Sequence, residues 1–388
     1  MRPIISIVVP TKNRYVYLKY LIRLVDSFKS DELELVIQDN SDNNEDIVNF
    51  VNSLNSSIVK YFYSKAKLSM SANADLAISH STGEYVCFIG DDDGVCRNII
   101  DCVKWMKKNE IDALRCIRTE YIWSDSNNNN IQINFSSACL IYDKPKLNYK
   151  YLDPIDELNK ILKKGFQTID YIPVVYNGIV KREVLDKVFE IGNTFFPGGS
   201  PDISNGVVLS FFTKKLAYVD FPVIISGTSK MTGGGMYKKK GRSVTLDQVD
   251  FIDQSVIENW EKGIPKIWAG RLAWPESGIK GLRYVNRIEL IDKLNKNYMF
   301  AAFSIYYRQH YKIAYQYTPN KILFFWNMLS ILFSSGFRVI KNKIMSLLLS
   351  NHYVGRLIKR NITNIIEAEK ILSEINSTVS FVNINKIS

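Results

Sequence analysis

Apolar residues recur along the first 230 positions in two alternating rhythms. Short, nearly unbroken runs rich in β-branched side chains occupy residues 4–9 (Ile-Ile-Ser-Ile-Val-Val), 33–37, 58–63 and 85–89. Runs of this length and composition predict strands buried on both faces of a parallel sheet. Between them the apolar positions fall three and four apart: Tyr17, Leu18, Leu21, Ile22, Leu24, Val25 and Phe28, then Ile47, Phe50, Val51 and Leu54, then a segment from Ser69 that carries Leu76 and Ala77. That spacing predicts helices with one buried stripe. Strand–helix alternation with short loops predicts right-handed crossovers and an α/β fold, a mainly parallel sheet with helices on both faces. Further on, 172–180 reads as a strand, 182–189 as a helix, and 221–226 as another strand.

Ligands of such sheets sit beyond the carboxyl ends of the strands. Three polar clusters lie there: Pro10-Thr11-Lys12-Asn13-Arg14, Gln38-Asp39-Asn40-Ser41-Asp42, and Gly90-Asp91-Asp92-Asp93. Three adjacent carboxylates cannot all be ionised without a counter-charge. A divalent cation, which takes oxygen ligands, is the usual remedy. Alternation along an extended segment sends Asp91 and Asp93 to one side and Asp92 to the other. Taken without its surroundings, the triplet reads equally as an acidic surface turn.

The pieces Ile-Val-Val-Pro-Thr-Lys-Asn-Arg at 7–14, Val-Ile-Gln-Asp-Asn-Ser-Asp at 36–42, Asn73, and Gly83-Glu84-Tyr85 followed by Phe88-Ile89-Gly90-Asp91-Asp92-Asp93 resemble the family 2 glycosyltransferases with the GT-A fold. The likeness covers residues 4–230. It implies a nucleotide-sugar donor, with a UDP-sugar favoured, an inverting single displacement, and Mn²⁺ or Mg²⁺ as cofactor. Carried over, Pro10, Thr11, Asn13 and Arg14 border the nucleotide, and Asp39 accepts from the base with Asn40 beside it. Asn73 lines the donor site, Asp91 and Asp92 face the nucleotide-sugar, and Asp93 with Asp91 holds the metal. Many members read Leu-Asp-x-Asp-Asp. Gly90 replaces the first of those acids here, which leaves open which carboxylates reach metal and ribose.

An inverting transferase needs a base to deprotonate the acceptor hydroxyl. The resemblance assigns this to Asp202, which follows the turn-rich Phe195-Phe196-Pro197-Gly198-Gly199-Ser200-Pro201 and opens a helical segment. The competing reading is a helix N-cap, and Asp170 and Asp220 are alternative bases. Gly233-Gly234-Gly235 and Lys238-Lys239-Lys240 suggest a loop able to close over the site and steady phosphate charge.

Five cysteines without a Cys-x-x-Cys pair fit a reducing compartment. Three scattered histidines argue against a histidine-rich zinc site or a Ser-His-Asp hydrolase. The N-terminal apolar run is too short for a signal peptide. Charge divides the chain. Residues 1–258 carry 31 Lys+Arg against 32 Asp+Glu, whereas 259–388 carry 19 against 7. No acidic residue occurs between Asp292 and Glu367, where eleven basic residues interleave with many aromatic ones. The expected organisation is a catalytic domain at 1–250 and a basic, aromatic-rich helical region at 251–388, with Leu357, Ile358 and Ile362 among its helical positions. The basic region fits an anionic membrane surface or a homo-oligomer contact. Together these place the chain in the cytoplasm, peripheral on the inner membrane face, and the family resemblance with the basic region implies a surface-glycan or lipid-linked acceptor. No nucleic acid is expected, since the first 258 residues are charge-neutral and carry no nucleic-acid motif. The reading of a different class is a non-catalytic nucleotide- or nucleic-acid-binding protein with a basic C-terminal region.

Overall fold

The computed structural model describes residues 2–126, 138–146, 148–231, 243–348, 352–353, 356–378 and 384–386. The triple-glycine and triple-lysine motifs lie outside the described residues. The first half follows the predicted alternation: β1 (Ile5–Thr11), α1 (Tyr15–Asp26), β2 (Leu33–Asp39), α2 (Glu45–Leu54), β3 (Val59–Tyr63), α3 (Met70–Ser79) and β4 (Tyr85–Phe88). These strands pair in parallel in the order β3-β2-β1-β4. Alternate residues serve opposite faces, as a doubly covered sheet requires. Ile5, Ile7, Val9, Leu35 and Ile37 enter one core, and Val8, Val36 and Val86 enter another. The register sets Thr11 beside Asp39, so the polar ends of β1 and β2 are neighbours.

The chain continues through β5 (Gly94–Val95), α4 (Ile99–Lys108), β6 (Ala113–Cys116), β7 (Glu120–Ile122), β8 (Cys139–Tyr142), β9 (Asn148–Leu152), α5 (Pro154–Lys163), β10 (Ile179–Lys181), α6 (Arg182–Gly192), α7 (Pro201–Phe212), β11 (Leu216–Val219) and β12 (Ile224–Thr228). The main sheet extends from β4 through β10, β6 and β11 to β9, with β10 antiparallel to both its neighbours. Only the last part of the segment expected as a strand at 172–180 is one. Ahead of β10 the chain turns at Asn177, in the left-handed region at φ 53°, after Tyr176 bridges to Phe88. Burial gave those residues a strand's composition without its geometry. A smaller sheet includes the run β8-β7-β12-β5.

Beyond residue 243 come β13 (Val244–Thr245), α8 (Gln254–Glu258), β14 (Ile267–Trp268), α9 (Gly270–Tyr284), α10 (Lys296–Tyr306), α11 (Tyr311–Tyr317), α12 (Lys321–Leu348), β15 (His352–Tyr353), β16 (Arg356–Arg360), α13 (Ile365–Ile375) and β17 (Asn385–Lys386). A separate core joins α9, α10 and α12 to α5 and α7 through Leu158, Val207, Leu272, Phe300 and Phe324. The helical expectation fails at Leu357 and Ile358. They lie on β16, where Ile358 pairs with Ile141 of β8 and is buried, because a short edge strand satisfies an apolar pair as well as a helical stripe does. Ile362 is buried in the following loop. Helix α13 returns to the first core, with Ile365 and Leu372 among its buried residues. Gly94 permits this approach, since a Cβ there would meet Ile365 at 2.8 Å and Leu24 at 3.2 Å.

Candidate active site

A cleft of about 1010 Å³ opens at the carboxyl ends of β1 and β4. The loop after β1 enters it because Asn13 takes φ 58°, a conformation that asparagine tolerates better than most residues. Asn13 is clamped to the loop after β2: its N–H donates to Ser41 Oγ at 2.7 Å, its Nδ2 to Asp42 at 2.9 Å, and its Oδ1 accepts from the Asp42 N–H at 3.1 Å. Next to it, Arg14 reaches back to the acid triplet. Its Nε donates to Asp91 Oδ2 at 3.0 Å, its NH2 lies 2.6 Å from Asp91 Oδ1, and its NH1 stands 3.8 Å from Asp92. Thr11 Oγ1 also donates to Asp91 at 2.6 Å.

The triplet does not keep a strand's alternation, because β4 ends at Phe88 and the Asp93 N–H turns back to the Gly90 carbonyl at 3.2 Å. Asp93 accepts from the Gly90 N–H at 2.7 Å and the Gly227 N–H at 2.5 Å. Asp92 is the member that lines the cleft, with Ser229 Oγ donating to its Oδ2 at 2.6 Å. Gly227 is required by closeness, since a Cβ there would lie 1.8 Å from the Asp92 carbonyl oxygen. Burial, and then the charge of Asp92, push the Asp93 carboxyl above its ordinary range; burial does the same to Asp91 against the opposing pull of Arg14. Burial works against the charge on Arg14, but Asp91 and Asp92 outweigh it and hold the guanidinium above its usual value.

Of the sequence-predicted residues, Pro10, Thr11, Asn13, Arg14, Asn40, Asn73, Asp92 and Asp202 line this one cleft. Asn73 offers a buried Oδ1 with no hydrogen-bond partner. Asp91 and Asp93 stand behind the lining residues, fully buried. Asp39 is also fully buried, and its carboxylate accepts from Tyr15 and Tyr61 hydroxyls, each at 2.7 Å, and from the Ser41 N–H at 2.8 Å. Asp170 and Asp220 do not line the cleft. Asp170 pairs with Lys164, and Asp220 accepts from the Asn148 N–H.

Asp202 comes from the opposite wall. The N-cap of α7 is Ser200, with Pro201 at the first helical position, so Asp202 lies inside the first turn. Its Oδ1 accepts from the Ile203 N–H at 2.9 Å and Ser200 Oγ at 3.1 Å. Both bonds fall on one oxygen, which leaves Oδ2 for a substrate. Burial pushes its carboxyl up, against the pull of those hydrogen bonds.

Residues 6–189 match glycosyl transferase family 2. That segment carries a family 2 glycosyltransferase domain. No curated protein matches the sequence. Among solved structures, this chain is similar to S. aureus TarS, at 14% identity and TM-score 0.39, over 82% of this chain and half the length of that one. It is similar also to S. aureus TarS 1–349 in complex with UDP-GlcNAc, at 14% identity and TM-score 0.43, over 81% of this chain and 91% of that one. A third is the mannosyltransferase PcManGT from Pyrobaculum calidifontis in complex with GDP-Man and Mn²⁺, at 16% identity and TM-score 0.40, over 85% of this chain and 88% of that one.

The cleft has residues that sequence reasoning missed. Trp268, Trp274, Tyr306 and Tyr307 form an aromatic wall on the helical side, joined by Tyr176 from the turn before β10. Arg271 lies over the Tyr306 ring at 4.1 Å and donates to the Gln167 carbonyl at 3.0 Å. Nothing in the local pattern marks them, because they belong to a region whose aromatic residues are abundant everywhere.

Proposed function

We propose that the chain transfers a sugar with inversion from a nucleotide-sugar, with a UDP-sugar favoured, to a hydroxyl of a surface-glycan or lipid-linked acceptor. The observation that carries this reading is the meeting in one cleft of Arg14 and Asp92 from the strand ends with Asp202 from the far wall. The diphosphate lies by Arg14, a bidentate-capable donor already held in place by Asp91. Asp202 Oδ2 takes the proton of the acceptor hydroxyl as its oxygen attacks the anomeric carbon. The bond from that carbon to the phosphate oxygen breaks, and its electron pair leaves with the nucleoside diphosphate. A carboxyl raised above its usual range is a stronger base, which suits this role.

The cleft also fits Mn²⁺ or Mg²⁺. Asp92 supplies a hard oxygen facing the cleft, and Asp91 and Asp92 against the one guanidinium of Arg14 leave negative charge in excess. Among the described residues no group of three His, Cys, Asp or Glu could hold an ion alone, so substrate phosphates and water would have to supply further ligands, as is common for Mg²⁺. When bound, the cation neutralises charge on the departing diphosphate. Asp93 and Asp91 support Asp92 from behind, and Asp39 shapes the base pocket through Tyr15, Tyr61 and the adjoining Asn40. An acceptor carried on a lipid would be met at the cytoplasmic face of a membrane, where the basic C-terminal region fits.

Calorimetry with UDP, with and without Mn²⁺, tests the donor site. Binding strengthened by Mn²⁺ is expected. Failure of UDP, GDP and their sugars to bind under either condition would leave the nucleotide-sugar reading without support.

A further inference from the structure

Helix α12 has two apolar faces, and the structure covers one of them. Phe324 and Ile331, two helical turns apart, are buried against α10 and α11. On the opposite side Ile322, Trp326, Leu329 and Phe333 follow at four-three-four spacing and are 70%, 65%, 58% and 80% exposed, with Phe337 continuing the row at 66%. A helix that is apolar all round belongs in a core or a lipid phase, and an exposed row of this size marks an interaction surface.

The surroundings select the occupant. Between Asp292 and Glu367 there are eleven Lys and Arg and no acid, and of these Arg356 is already paired with Glu120 and Asp143. Lys321 opens the helix with its ammonium over the Tyr315 ring at 4.5 Å, and Tyr311, Tyr315 and Tyr317 are part-exposed on α11 alongside. Tyrosine and tryptophan rings among cations suit the layer between headgroups and acyl chains. A second copy of the chain fits poorly, since a two-fold contact would set this basic surface against itself. No helix among the described residues is long and apolar enough to cross a membrane.

We infer that the outward face of α12 docks on an anionic lipid surface, lying along it with Trp326 and Phe333 inserted. Resting on the transferase reading above, this also specifies the acceptor as one tethered to that surface. Tyr306 and Tyr307, at the end of α10, line the cleft just before α11 and α12 in the chain, so docking brings the aromatic side of the cleft to the headgroups.

The test is co-sedimentation of the full chain with vesicles of phosphatidylcholine alone or mixed with phosphatidylglycerol, at low and high salt. Binding should require phosphatidylglycerol and weaken with salt. Trp326→Ser with Phe333→Ser should weaken it at least about tenfold, since each ring loses its burial in lipid. Both rings are solvent-facing, so the melting temperature and UDP binding of this variant should match the parent. Absence of vesicle binding, equal binding to neutral vesicles, or a stable dimer that the double substitution dissolves would each overturn the inference. Vesicle binding by a chain that binds no nucleotide would uphold the docking surface while removing the transferase reading, so the two fail separately.

Discussion

On the strand side of the cleft almost every polar group is already engaged. Asp91 is held by Arg14 and Thr11, Asp93 by two backbone N–H groups, and Asp39 by two tyrosine hydroxyls and the Ser41 N–H. On the helical side the wall is made of rings: Trp268, Trp274, Tyr306 and Tyr307, with Arg271 among them. A pre-bonded wall reorganises little when charge develops against it, which is how fixed dipoles lower a barrier. A wall of rings offers contact area and stacking with few directional bonds. The strand side is therefore built to hold a group of fixed chemistry, and the helical side to accept a partner through shape.

The largest effect is expected where the two sides meet. Asp202→Asn keeps the size of the side chain and an oxygen for the Ile203 N–H but cannot take a proton. Turnover should fall roughly 10²–10⁴-fold with donor affinity near that of the parent, measured by steady-state kinetics beside calorimetry. Turnover within a few-fold of the parent would show that the helix start is only structural and that the chemistry lies elsewhere.

A buried carboxylate on the helical side breaks the contrast. Glu276 in α9 is fully buried, with its Oε1 3.8 Å from Lys280. Burial, opposed by Lys280, pushes its carboxyl up to about 7 from an ordinary 4.5. Because the folded state holds the proton more tightly, the associated stability is complete below about pH 4.5 and is lost as pH rises through 7, by about 3 kcal/mol. Glu276→Gln should flatten that slope in denaturant titrations across the same window. An unchanged slope would mean that Lys280 pairs with the charge fully.

A smaller effect separates members of the acid triplet. Asp92→Asn should weaken Mn²⁺-dependent UDP binding about tenfold while leaving the melting temperature intact, because this carboxylate faces the cleft. Asp93→Asn should do the reverse, costing roughly 1–3 kcal/mol of stability, because its two oxygens accept from separate buried N–H groups and the amide leaves one of these facing an NH2. Equal loss of affinity in both would mean that Asp93 turns into the cleft when the donor binds.

How much of this was legible follows the same division. Strands β1, β2 and β4 announce themselves because a doubly buried strand must be apolar at nearly every position, and their polar ends are abrupt. The acid triplet was visible as chemistry, but which acid faces the cleft was not. That depends on the turn from Gly90 to Asp93 and on the N–H of Gly227, more than a hundred positions away in sequence. The aromatic wall was invisible for another reason: Trp268 and Trp274 look like any other ring in a ring-rich stretch until tertiary packing selects them. Asp202 was singled out through family resemblance, whereas its place within the first turn of α7 required the backbone.

The seating of Ile365 against Gly94 bears on how the enzyme is made. The acid triplet sits immediately before Gly94, and helix α13, which comes from far along the chain, closes the core beneath β5 while Glu369 accepts from the Arg97 N–H at 3.0 Å. Sheet strands that leave the ribosome early must therefore wait, unsupported on this side, for a segment translated some 270 residues later. Support for the acid triplet therefore depends on α13, and a nascent domain released short of that helix would carry the acids without the backing that holds them in place.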